Sequence, residues 1–281
     1  MTQAKQIMKA IEAVAPVQLQ EDYDNAGLQC GNPSAEVSRV LCCMDVTERI
    51  IDEAKEKGCQ MIVSHHPLIF RGLKKISPEG DYISRCVYRA ISEGIVLYAA
   101  HTNLDNAPEG VNMKMVKKLG LKTEGKISAL EAIPSSRLFG LNEDFAKECG
   151  GGKVFDLAEP MSVGEFKSHV AKVFKAESCN TNNDYDFNDT KLIKRIALCG
   201  GAGVDFISDA ERKGADVYIT GEIGYHRMFG HPSICLIELG HWESEQYTVE
   251  LFKDIITNAF PDVEVEMSAI EKPVKHVRSE E

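Results

Sequence analysis

Apolar positions recur at helical spacing at the start of the chain. Ile7, Met8, Ile11 and Val14 predict a helix over 4–14 that Pro16 ends. The stretch DYDNAGLQCG, residues 22–31, is rich in turn formers and predicts a loop leading into a short extended segment. From there strand and helix patterns alternate. Residues 40–46 predict a strand, and Thr47 caps a helix that Gly58 stops, with Glu48 in its first turn. Strands over 60–64 and 95–100 and helices over 81–93 and 110–119 follow. This order predicts an α/β fold with a mainly parallel or mixed sheet covered by helices. The continuous runs MIV and IVLYAA suit strands buried on both faces.

Residues 121–190 change character. Charged and small residues surround Gly150-Gly151-Gly152, and SCNTNNDYDFND at 178–189 predicts a polar loop. The expectation is a smaller, less regular middle region whose clearest element is a helix over 163–174. Alternation then resumes with strands over 193–199, 217–220 and 234–239 and a helix over 204–213. One long helix is predicted from His241 to about Phe260.

Composition narrows the class. A chain of 281 residues predicts about two domains, since one domain usually takes ~100–200 residues. Hydrophobic content of 43% and charged content of 27% are ordinary for a soluble globular chain. A net charge of −11 argues against nucleic acid as the main partner, while leaving room for a local basic pocket and a nucleotide substrate. No apolar run reaches the ~18–20 residues of a membrane span, so no membrane partner is expected. The N-terminal segment lacks the long apolar stretch and cleavage site of a signal peptide. The nine cysteines are scattered without a C-x-x-C pair, which points to the reducing cytoplasm and away from disulfides and structural zinc.

The chemistry lies where the strands end. His65-His66 closes one apolar run, and His101 follows another, with Asp105 four residues on. In open α/β sheets ligands bind at that carboxyl edge. Far downstream, His241 and Glu245 are four apart at a helix start and so share one helical face. Four imidazoles and two carboxylates exceed the needs of one ion, and the mixture suits Zn, Fe or Mn better than Ca or Mg. Two divalent ions per subunit are therefore expected. Asp105 is expected to bridge them and His101 to act as a terminal ligand or to orient one, and such two-metal sites most often hydrolyse. Each element has a plainer reading taken alone: a capping histidine pair, a loop Asp at a helix start, and an acidic helix N-terminus. His226, after the strand DVYIT, is a candidate proton shuttle or a structural histidine, and Glu222 a further carboxylate near the metals. The turn 200–203 could cradle a phosphate at a helix start or be a tight turn without an anion. It lacks the Lys-Ser/Thr of a P-loop. His169, His231 and His276 have no identifiable partners and receive no role.

Six strings then stand in order: DYDNAGLQCG, CMDVTERIIDEA, SHHPLIF, AAHTNLDNAPEGVN, GEIGYH and GHWESE. Together they resemble the NIF-three-like family of dinuclear metal proteins, some of which carry the name GTP cyclohydrolase 1 type 2. One departure is Tyr23, where the family pattern has Trp. The resemblance implies metal ligands at His65, His66, His101, Asp105, His241 and Glu245. It implies two interleaved α/β lobes, the first formed by 1–123 plus about 235–281. The second covers about 124–234 and holds a short irregular insertion, too short for the larger domain some members carry. It also implies a toroidal homohexamer with its metal sites facing an internal cavity. The function expected is a metal-dependent hydrolase acting on GTP or another nucleotide, with His226 and Glu245 as catalytic candidates and Asp24 and Asn25 supporting the ligands. The other class is a non-catalytic metal-binding or regulatory interaction protein.

Overall fold

The computed structural model describes residues 1–182, 190–269 and 272. Eleven strands among them form two mixed sheets: β1 (Gly27–Cys30), β2 (Arg39–Cys43), β3 (Met61–Ser64), β4 (Val96–Ala99), β5 (Thr123–Ala132), β6 (Gly150–Ser162), β7 (Asn180–Thr181), β8 (Leu192–Cys199), β9 (Val217–Thr220), β10 (Cys235–Glu238) and β11 (Glu264–Met267). The first sheet runs β1-β4-β3-β2-β11 and the second β5-β6-β8-β9-β10-β7. In the first, β4, β3, β2 and β11 are parallel and β1 is an antiparallel edge. In the second, β8, β9 and β10 are parallel, flanked by antiparallel partners. The α/β expectation holds.

Register explains why the chemistry gathers. Cys43 pairs with Ser64, and Ser64 with Ala99, so the three central strands of the first sheet stop at one level. The segments that follow, beginning at Met44, His65 and Ala100, leave the sheet side by side. Cys199, Thr220 and Glu238 are aligned the same way in the second sheet. The central strands are buried residue after residue, as a parallel sheet covered on both faces requires. Local signals set the helix ends: Thr47 and Asp81 accept from Ile50 N and Ser84 N, each satisfying an orphan donor of a first turn.

Three expectations change. The middle region is more regular than predicted: β5 and β6 form a long antiparallel pair. Its signal is weak because most of β5 is exposed or half-exposed, so no apolar alternation marks it, and because β6 opens on three glycines. These are needed for close strand approach, not for a turn; a Cβ on Gly150 would lie 2.3 Å from Glu131 O. The long C-terminal helix is two, His241–Glu245 and Thr248–Ala259. At the break the chain changes cores: Tyr247 packs with Phe174 in the second lobe, while Phe252 and Ile256 join the first. Finally, β10 belongs to the second sheet, so the chain returns to the first after Glu238, slightly later than expected. The polar loop predicted at 178–189 contains β7, and its residues 183–189 lie outside the described residues, as does His276. No helix among the described residues is long and apolar enough to cross a membrane.

Candidate metal centre

Each of the six expected ligands leaves the end of a strand or the helix just after one. His65 and His66 follow β3. His101 follows β4 and starts a single helical turn, Thr102–Asp105, unforeseen in the sequence; Asp105 N donates to His101 O at 3.1 Å, which places the carboxylate one turn beyond the imidazole. His241 and Glu245 occupy one face of the helix that follows β10.

The six converge. Their ligand atoms form three groups within 4.8 Å: His65 with His66 and His101; His66 with His241 and Glu245; His65 with Asp105 and Glu245. Glu245 divides its oxygens, Oε1 at 3.6 Å from His65 Nε2 and Oε2 at 3.1 Å from both His66 Nε2 and His241 Nε2. Asp105, expected to bridge, joins one group, and Glu245 joins two.

The outer face of every imidazole is occupied. Nδ1 of His65 meets Ala100 O at 2.9 Å, that of His66 meets Asp45 at 2.8 Å, that of His101 meets Asp24 at 2.8 Å, and that of His241 meets Glu222 at 3.2 Å. A carbonyl or carboxylate at Nδ1 accepts a hydrogen bond from the ring N–H there and leaves Nε2 as a lone-pair donor turned inward, the arrangement typical of metal-binding histidines. Asp24, expected to support the ligands, also accepts from Thr102 N at 3.0 Å and from the Thr102 hydroxyl. Asn25 contributes indirectly, donating to Ile69 O at 2.6 Å in the loop after His66. Asp45 was not anticipated; its signal was its place two residues past β2, at the same edge as the histidines.

Without a cation the inner face is poorly satisfied. His65 Nε2 and Asp105 Oδ1 are buried and have no hydrogen-bond partner, a costly state for polar atoms. His66 Nε2 and His241 Nε2 lie 3.2 Å apart, so without a cation one of them must hold a proton for the contact to be favourable. Burial, and then the Glu245 charge, push the Asp105 carboxyl well above its ordinary value. Burial would raise Glu245 too, but His65, His241 and His66 hold it well below. Burial opposes a charge on His66, yet Asp45 and Glu245 raise it to about 10. For Asp24, burial is outweighed by the bonds from His101 and Thr102, and the carboxyl falls to about 2. Buried orphan atoms, inward nitrogens and repelling carboxylates all fit divalent cations, whose charge would relieve each of them.

The remaining candidates lie differently. His226 does not join the cluster: it is exposed on the turn Tyr225–Met228, edge-on to Tyr225 and Phe229, and lines neither cavity beside the ligands. The proton-shuttle role therefore lacks support within one chain. The residue ends a strand-following loop, but Gly224 at φ +79° re-aims the chain, and Glu238 fixes that turn through Ile223 N and Gly224 N. Glu245, the other catalytic candidate, has both oxygens against imidazoles. The turn 200–203 is not a phosphate cradle. Its Gly200, Gly201 and Gly203 amides already donate to Asn112, Ser244 and Thr220. Its glycines serve proximity: a Cβ on Gly201 would lie 2.3 Å from Glu245 Oε1.

Beside the ligands opens a cavity of about 460 Å³, lined by His101, Asp105, His241 and Glu245 together with residues of both lobes. Exchanging Asp24 for Asn tests the support of His101. It is expected to weaken cation binding by ~10–100-fold, measured by competition with a chromophoric chelator; an unchanged affinity would remove Asp24 from the site.

Comparison with known proteins identifies the family and the fold. The family model for Duf34/NIF3 (NGG1p interacting factor 3) matches residues 2–273. A Clostridium acetobutylicum protein named GTP cyclohydrolase 1 type 2 homolog is 34% identical over 86% of this chain and 84% of its own length. Its namesake in Clostridium perfringens is 34% identical over 85% of each. Among solved structures, a Staphylococcus aureus protein superposes with TM-score 0.83 at 26% identity, covering 98% of this chain and 99% of the other. A Bacillus cereus protein related to NIF3 superposes with TM-score 0.83 at 22% identity over the same shares. With the family model spanning nearly the whole chain and relatives 34% identical over most of it, the chain belongs to the DUF34/NIF3 family.

Proposed function

We propose that the chain is a hydrolase dependent on two divalent cations, Zn, Fe or Mn, that acts on a nucleotide, with GTP the leading candidate. The observation that carries it is Glu245, whose two oxygens face different imidazole groups beside a cavity large enough for a small molecule. Supporting the nucleotide is the name shared by relatives up to 34% identical, GTP cyclohydrolase 1 type 2 homolog. His65, His66, His101, Asp105, His241 and Glu245 would hold the cations, which would supply Lewis acidity and lower the pKa of a coordinated water toward ~7.

The chain's own residues do the remaining work. Asp24, Asp45, Glu222 and the Ala100 carbonyl fix each imidazole by its Nδ1, so the donor set is rigid before substrate arrives. The cavity, walled by both lobes, orients the ring and excludes bulk water. For GTP, successive addition of two waters to the imidazole carbon would release it as formate and leave both ring nitrogens as amines. A toroidal homohexamer with sites facing an internal cavity is part of this proposal.

The test is turnover of a panel of nucleotides and phosphoesters by protein loaded with Zn, Fe or Mn, beside the double variant Asp105→Ala, Glu245→Ala. Nucleotide turnover lost in the double variant is the expected result, and activity that survives it would sink the mechanism. Cations bound at two per chain without any turnover would move the protein to a metal-binding or regulatory role.

A further inference from the structure

Resting on the nucleotide reading, we infer that the exposed segment 70–75 holds the phosphate chain of the substrate outside the cavity while its ring lies inside against the metal centre. Charge disfavours a triphosphate inside either cavity beside the ligands. The cavity beside the ligands carries Glu21, Asp105, Glu131, Asp205, Asp209 and Glu245 in its lining and no Lys or Arg. Arg137, Arg212 and Arg227 approach it only as partners of Glu21, Asp209 and Asp205. A second cavity of about 590 Å³ meets His66 and His241; its one cation, Lys272, is engaged by Glu243 at 2.8 Å and Glu177 at 3.5 Å. A triphosphate inside either cavity would add several like charges to an acidic wall. The amides of the turn 200–203 are taken as well.

Cations without partners lie on the segment that follows His66-Pro67. Arg71, Lys74 and Lys75 are exposed and, among the described residues, have no ion-pair or side-chain hydrogen-bond partner. Three such cations within five residues stand out in a chain of net charge −11. Their segment is tied to the metal centre at its start. It continues directly from His66-Pro67, and Ile69 is pinned by Asn25 at 2.6 Å and Gln29 at 3.1 Å. Phe70 stands edge-on to the ligand His101, ring centroids 6.3 Å apart, and tilts against Tyr23 at 6.2 Å. Its far end is tethered where Ser84 donates to Lys75 O at 3.4 Å.

Tyr23 lines the cavity yet is 67% exposed, and Phe70 is 42% exposed. Two exposed aromatic faces at a cavity mouth suit a planar ring passing inward. Arg71 follows Phe70 directly, and Lys75 lies at most about 18 Å of extended chain from it. The arrangement orders the ligand: ring at the metals, aromatic pair at the mouth, phosphates on the cations outside. It also sets a preference for triphosphate over monophosphate over nucleoside, since each added charge meets a further cation.

The experiment is binding calorimetry of GTP, guanosine and inorganic tripolyphosphate to wild type and to Arg71→Ala, Lys74→Ala, Lys75→Ala, both cation-loaded. Cation content and melting temperature of the variant verify its fold. The expected result is a loss of ~10–100-fold in affinity for GTP and tripolyphosphate, with guanosine changed less than about two-fold and the GTP loss shrinking at high salt. Equal GTP affinity in the two proteins, or no binding of GTP and tripolyphosphate to wild type, would overturn the inference. Nucleotide turnover with an unchanged KM in the variant would overturn it and leave the hydrolase reading standing. Phosphate-dependent binding lost in the variant, with no nucleotide hydrolysed by wild type, would keep it and remove the hydrolase reading.

Discussion

Adding one methyl group at Gly201 is expected to disable the metal centre. The residue sits at φ +64°, where an L side chain costs roughly 1–2 kcal/mol. That strain alone would be tolerable in a chain of this size. The larger effect is steric: the new Cβ would lie 2.3 Å from Glu245 Oε1 and 3.5 Å from His241 Cε1. Ser244 is already fixed by its bonds to Gly201 N and His241 O, so the helix carrying Glu245 has little room to retreat. Displacing a ligand or catalytic group by ~1 Å commonly costs on the order of 100-fold. Gly201→Ala should therefore bind cations at least that much more weakly while remaining folded, as read by elemental analysis beside circular dichroism. A folded variant with full cation content would show that the turn is not holding Glu245 in place.

The second large effect is on stability. Cations that bind the native state and not the unfolded chain stabilise it by about 4 kcal/mol per site when present at ~1,000 times their Kd. Chelation should thus lower the melting temperature of wild type by roughly 10 °C or more. In Asp105→Ala, Glu245→Ala the chelator should have almost no effect. The double variant has two opposing terms of its own: it removes the repulsion between Asp105 and Glu245, and it also removes the contacts of Glu245 with His65, His241 and His66. Its melting temperature without cations should be close to that of chelated wild type. An equal chelator effect in both proteins would place the stabilising cation elsewhere.

The ligands were legible in the sequence because two simple rules place them. A residue just past a buried parallel strand lies at the sheet's carboxyl edge, which marked His65, His66 and His101. Spacing of four residues on a helix marked His241 with Glu245, and the same spacing links His101 to Asp105 through a turn the sequence did not announce. The first rule gives position but not direction. It selected His226, which follows β9 and yet faces away from the cluster on an exposed turn. It could have selected Asp45, which stands at the same edge and holds His66, but a single aspartate past a strand has no distinguishing pattern. The turn 200–203 misled for a related reason: glycines announce close backbone approach without saying to what, and here the neighbour is a carboxylate of the protein itself. The strands β5 and β6 were hidden because their pairing is decided by distant partners, the mostly exposed β5 carries no apolar period, and the mostly buried β6 opens on three glycines.

The centre draws four candidate ligands from the edge of the first sheet and two from the helix after the second. During synthesis Asp105 emerges about 140 residues before Glu245, an interval of roughly 7–30 s at ~5–20 residues per second. In that interval the nascent chain offers three imidazoles and one carboxylate, but not Glu245, the carboxylate shared by two of the ligand groups. It is an incomplete, loosely set donor group, of the kind whose choice among divalent ions follows intrinsic affinity more than geometry. If the centre holds cations, correct metallation would be deferred until the second sheet has been made, and a chain interrupted before His241 would carry a donor set with no means of selecting its ion.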